Sequence, residues 1–114
     1  MSELFTLFDS DESADVRVSA LLESDDRKSR VAAYAYRYAN PVPALIGALV
    51  DAVVAEDTRF GQYWGVRALR RHVDADPASL DAATRRRLER FATTLEPASD
   101  GADELRQLLR QAPS

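Results

Sequence analysis

The sequence predicts an all-α domain of five to six short antiparallel helices, for three reasons. Helix signals recur every 12 to 17 residues along the 114-residue chain, each an apolar stripe at helical spacing closed by a polar or proline-containing break. Four Gly and five Pro are too few for the tight turns of an all-β chain. Two segments, 26–38 and 57–69, also begin alike, about 31 residues apart: Asp26-Arg27-Lys28-Ser29-Arg30 and Asp57-Thr58-Arg59-Phe60-Gly61, each opening with an Asp that can cap a helix. Together they carry six of the nine aromatic residues. A period of this length marks helical-repeat architectures.

The elements follow in order. Leu4, Leu7 and Phe8 allow a two-turn helix at the N-terminus, within an acidic segment 1–12 that is expected to be flexible. Residues 13–24 form a helix on the stripe Ala14, Val18, Leu21, Leu22. Segment 27–39 alternates Tyr34, Tyr36 and Tyr38 as a strand would, but no second strand exists to satisfy its backbone. As a helix it places Tyr34 and Tyr38 on one face, expected to pack on the aliphatic helix that follows, and Tyr36 on another. Asn40-Pro41-Val42-Pro43 breaks it, and Pro43 suits the first turn of the next helix.

Helix 43–56 is apolar nearly all round, which predicts a central position with Leu45, Leu49 and Val53 buried. The turn 56–58 is short enough to require an antiparallel neighbour, so helix 58–73 completes an αα-hairpin. Trp64 and Leu88 are also expected in the core, the latter from helix 80–95. Helix 102–111 closes the chain on Leu105, Leu108 and Leu109, before a tail at 112–114. The whole reads as one domain, 1–114.

Charge is unevenly placed. Residues 1–26 carry one base against eight acids, 27–73 eight against three, and 74–114 six against eight. This suggests an acidic first segment lying across a basic middle. Fourteen of the fifteen bases are Arg, and Asp outnumbers Glu twelve to seven, a bias that suits either a GC-rich coding sequence or adaptation to salt. No secretory leader or membrane span is evident, so a cytoplasmic location is expected.

Little catalytic chemistry is legible. One histidine, His72, sits at a helix end, where its charged form would suit the helix dipole. Without Cys and with a single His, no zinc site is expected, and no phosphate-binding glycine loop is present. No catalytic residue, metal or cofactor is therefore expected. Asp51 is expected on an exposed stripe or paired with an Arg of a neighbouring helix.

The residues Asp15-Val16-Arg17-Val18-Ser19-Ala20-Leu21, Arg30-Val31-Ala32-Ala33 and Pro43-Ala44-Leu45-Ile46-Gly47-Ala48-Leu49, leading to Asp57-Thr58-Arg59, resemble the short HEAT-like repeats of α-solenoid proteins. The resemblance covers roughly residues 13–73, with irregular spacing, and implies a HEAT-like α-α superhelix. A compact helical bundle is the alternative. In that family Asp and Arg positions help to stack successive repeats, which the resemblance carries to Asp57 and Arg59.

Such a fold implies a non-enzymatic adaptor or regulatory subunit that binds another protein. Tyr, Trp and Arg are enriched in protein interfaces. The candidate contact residues are accordingly Tyr36, Arg37, Trp64, Arg67, Arg70 and Arg71, with Tyr36 and Arg37 expected side by side at the surface. Assembly with further copies of the chain is compatible with this reading. The alternative is a helical-repeat nucleic-acid binder using Arg67, Arg70, Arg71 and Arg85 to Arg87. Consecutive Arg residues spread round a helix, which argues against a single phosphate-binding stripe there.

Overall fold

A computed structural model describes residues 11–111, with side chains from residue 14. The expected helix at 3–8 and the tail at 112–114 lie outside the described residues. The chain is all-α. Helix α1 spans Asp11–Leu22, α2 Arg27–Ala39, α3 Ile46–Ala55, α4 Arg59–Ala75, α5 Ala82–Ala92 and α6 Asp100–Gln111. Single 3-10 turns, Pro43–Leu45 and Pro77–Ser79, precede α3 and α5. Among the described residues there is no strand, so segment 27–39 is helical as expected.

The helix starts follow local chemistry. Asp26, Thr58, Asp76 and Asp81 each accept a hydrogen bond from a backbone N–H of the turn they open. The cap of α4 is Thr58, not Asp57 as the likeness of the two segments suggests. Thr58 Oγ1 accepts from the Gly61 N–H at 3.1 Å, while the Asp57 side chain stays 87% exposed.

Three αα-hairpins stack side by side. Within hairpins α1 packs on α2, α3 on α4 and α5 on α6. Between hairpins α1 packs on α3 and α3 on α5, while α2 packs on α4 and α4 on α6. Odd and even helices thus form two layers. A shortest dimension of 19 Å is about two helix diameters.

Leu49, Val53 and Leu88 are buried as expected, but Leu45 and Trp64 are only partly covered. Leu45 lies in the 3-10 turn, and the core contact passes to Ile46. The most enclosed helix is α4, not the more apolar α3. Gly61, Gly65, Val66, Ala68, Leu69, His72 and Val73 of α4 are all buried. Small residues explain its position, because they let neighbouring side chains reach its backbone. A Cβ on Gly65 would stand 2.7 Å from Val53 Cγ2 of α3 and 3.5 Å from the Tyr34 ring of α2. The Tyr34–Tyr38 face of α2 therefore packs on α4, where the sequence suggested α3. Helix α3 leaves Ala44 before it, and Gly47, Ala48 and Ala55 within it, exposed. Alanine side chains are small enough to be exposed at little cost.

One buried carboxylate ties three helices together. Glu56, which ends α3, has a fully covered side chain. It accepts from Arg30 Nε at 2.8 Å and Nη2 at 3.1 Å, and from the Tyr34 hydroxyl at 2.8 Å. The Thr58 hydroxyl and N–H donate to it at 2.8 and 3.2 Å. A Cβ on Gly61 would overlap this carboxylate, so glycine is needed there. The bracing that the resemblance assigned to Asp57 and Arg59 falls instead to Glu56 and Arg30. Asp57 reaches Arg30 only at 3.6 Å, and Arg59, 74% exposed, meets Glu96 at 3.7 Å. Burial raises the Glu56 carboxyl, but donation from Arg30, Thr58 and Tyr34 outweighs it and lowers the pKa to about 2.

Two predictions follow from this packing. Gly65→Ala should destabilise the fold by about 1–3 kcal/mol through overpacking. Gly65→Ala combined with Val53→Ala should cost less than the sum of the two single changes, as read by urea denaturation. For Glu56, the unfolded carboxyl titrates near 4.5 and the folded one near 2. Its contribution is therefore complete above about pH 4.5 and is lost as pH falls towards 2. Glu56→Gln should cost on the order of 3 kcal/mol at neutral pH, and the variant's acid-denaturation profile should be shallower than the wild type's.

Candidate functional site

Helix α4 divides lengthwise. One side is the core just described. The other carries Phe60, Tyr63, Trp64, Arg67, Arg70, Arg71 and Asp74, all within about 120° of arc at 100° per residue. Phe60 is 55% exposed. The even-numbered layer flanks this side, with Tyr38 from α2 and Glu104 from α6.

The Arg67 guanidinium is held among three rings. It lies 5.0 Å from the centroid of Tyr38, 5.4 Å from Tyr63 and 5.6 Å from Trp64. Trp64 stands edge-on to both tyrosines, at 6.0 Å from Tyr38 and 5.9 Å from Tyr63. Arg67 Nη1 donates to the Tyr63 hydroxyl at 2.7 Å and Nη2 to the Tyr38 hydroxyl at 3.0 Å. Those bonds raise its pKa, so it stays cationic. The cation faces ring π-systems, and these contacts hold its side chain in place.

Arg71 and Arg70 extend the patch. Arg71 lies 5.2 Å from the Tyr38 ring and donates from Nε to the Tyr38 carbonyl at 3.2 Å. That carbonyl belongs to the last turn of α2, where helical partners run out. Arg70 Nη1 donates to both Glu104 oxygens at 3.1 Å, joining α4 to α6. Tyr38, Arg67, Arg70, Arg71, Asp74 and Glu104 line a recess of about 180 Å³.

Of the six residues expected at the contact surface, Trp64, Arg67, Arg70 and Arg71 are brought together here. Tyr36 lies on a different face of α2 and is 40% exposed, as its spacing suggested. Arg37 departs from expectation, being 3% exposed and paired with Asp15 of α1 at 2.8 Å. An acid on α1 thus covers a base on α2, which is the expected charge complementarity, and it removes Arg37 from the surface. Phe60, Tyr63, Tyr38 and Glu104 were not singled out. For the first two the signal was available, because Phe60, Tyr63, Trp64, Arg67 and Arg71 follow at i, i+3, i+4, i+7 and i+11.

The Arg-rich run of α5 does not form a comparable patch. Arg87 Nη1 meets Asp51 of α3 at 2.8 Å, as expected for Asp51. Arg85 pairs with Glu89 at 3.6 Å and donates to the Leu109 carbonyl of α6 at 2.7 Å. The run diverges towards two different neighbours. A larger recess of about 570 Å³ between α1 and α3 has acids Glu23, Asp25, Asp51 and Asp57 on its rim. Its Arg30 is already engaged by Glu56. Among the described residues no three His, Cys, Asp or Glu side chains are placed to hold a metal.

His72 does not use the helix dipole as a cation. It is fully buried, its Nδ1 lies 2.8 Å from the Ala68 carbonyl, and its Nε2 accepts from the Val42 N–H at 3.1 Å. These partners assign the proton to Nδ1 and leave neither nitrogen open to a substrate. The ring anchors the Pro41–Val42 linker between hairpins. Burial lowers its pKa below the ordinary 6.5. The unfolded chain therefore takes up this proton first, and the His72 contribution is complete above about pH 6.5 and declines below it. His72→Phe should remove that portion of the pH dependence, measured by thermal unfolding across the acidic range.

The chain matches no protein-family model, no curated protein and no solved structure.

Proposed function

We propose that this chain is a non-enzymatic adaptor or regulatory subunit, a stack of HEAT-like hairpins that binds another protein through the outer side of α4. The observation that carries the reading is the stripe Phe60, Tyr63, Trp64, Arg67, Arg71. It combines exposed ring surface with cations of fixed geometry, on a helix whose other side is core. Aromatic residues and Arg dominate binding energy in protein interfaces. Side chains already held by one another lose little further freedom on association. The alternation of helices between two layers supports the HEAT-like assignment, since stacked hairpins in two layers are the basis of α-solenoids. The engaged nitrogens of His72 support a role without catalysis. A cytoplasmic location accords with the absence of cysteine from the sequence. It also accords with the finding that no helix among the described residues is long and apolar enough to cross a membrane.

A photo-cross-linking amino acid placed at Arg71 should give discrete protein adducts in the native host. The same group at Arg86, exposed on α5, should give none. Adducts of equal yield from both positions, or none from Arg71, would refute the reading. Cross-linking to nucleic acid that fades steeply as salt rises would establish the nucleic-acid alternative instead.

A further inference from the structure

We propose that the recess between Tyr38, Arg67, Arg70 and Arg71 receives a single carboxylate from an acidic segment of the partner protein. The inference rests on the adaptor reading and names the chemistry of the partner. Three observations carry it.

The first is charge. Three guanidinium groups, Arg67, Arg70 and Arg71, face two carboxylates, Asp74 and Glu104, across the recess. The local balance is +1, which one carboxylate neutralises. A phosphate, with about two negative charges near neutral pH, overshoots that balance and meets Asp74 and Glu104 at close range. A nucleic-acid backbone needs cations repeated along a track, and Arg87 and Arg85 of α5 turn towards α3 and α6 instead.

The second is donor supply. Among the described residues Arg71 is hydrogen-bonded through Nε alone, to the Tyr38 carbonyl, which leaves the donors of both terminal nitrogens for a ligand. Arg67 uses one proton of each terminal nitrogen on a phenol, and each retains a second. Guanidinium groups bond carboxylates through two parallel N–H donors where geometry allows.

The third is size. About 180 Å³ is below the roughly 300–1,000 Å³ of sites that enclose small organic ligands. It suits one side chain projecting from a larger body. The exposed Phe60 ring lies further along the same side of α4. At 1.5 Å of rise per residue it is roughly 10–16 Å from Arg67 and Arg71, so it offers apolar contact to a partner residue several positions from the acid.

The test uses the full chain and blocked glycine-serine heptapeptides with one central residue: glutamate, glutamine or phosphoserine. Arginine Nε–H and Trp64 Nε1–H resonances are followed by NMR titration. The glutamate peptide should shift the Arg67, Arg71 and Trp64 signals saturably, with a millimolar dissociation constant. The glutamine peptide should not, and the phosphoserine peptide should bind no tighter than the glutamate one. Arg71→Gln should weaken the glutamate peptide by about tenfold, the worth of a charge-assisted hydrogen bond, with an unchanged amide spectrum. Equal shifts from the glutamate and glutamine peptides would overturn the inference. So would tighter binding of phosphoserine, or silence from glutamate up to its solubility limit. If adducts form at Arg71 while the glutamate peptide stays silent, the acidic-partner inference falls and the adaptor reading stands. If the peptide binds but no protein adduct forms, the adaptor reading falls and takes the inference with it.

Discussion

The architecture depends on the enclosed Glu56 carboxylate. An unpartnered carboxylate is costly to bury, so its donors must all be in place when it is covered. They come from one helix and one turn: Arg30 and Tyr34 of α2, and Thr58, which caps α4. Satisfying one side chain thereby sets the distance between α2 and the α3–α4 turn. It also determines what Gly61 can be, since the carboxylate occupies the space a Cβ would take. From that turn α4 runs with Gly65 and Ala68 against its neighbours, and its opposite side is left for Phe60, Trp64, Arg67 and Arg71. The candidate binding face is thus a consequence of how α4 is held from behind.

Much of this was legible in the sequence, because helices and their breaks are local. The stripe of Leu49 and Val53, the burial of Leu88, the opposed faces of Tyr34 and Tyr36 and the exposed position of Asp51 all follow from spacing. What failed to be legible was non-local. Glu56 sits in a three-residue polar turn and resembles any exposed acid, and only the approach of Arg30, 26 residues earlier, makes it a core group. Arg37 reads as a surface cation until Asp15, from another helix, is seen to cover it.

The central helix was misjudged for a different reason. Apolar content ranks α3 first, yet alanine and glycine contribute little hydrophobic area. Enclosure depends instead on which backbone neighbours can approach, and α4 has glycine at both Gly61 and Gly65. The same limit applies to the candidate site. Trp64, Arg67, Arg70 and Arg71 share a helix side and were legible as a group. Tyr38 and Glu104 come from the helices on either side, and no spacing within α4 announces them.

The two-layer stacking has a bearing on how the molecule comes apart. The principal contacts join each helix to the next or the next but one, so cooperativity is passed from hairpin to hairpin along a line. Local opening in such a chain costs less than global unfolding. Helix α6 brings Glu104 to Arg70. When α6 detaches, the arginines of α4 lose one of their two counter-charges and the surface potential above them becomes more positive. Local opening of α6 and the electrostatics of α4 are therefore a single equilibrium.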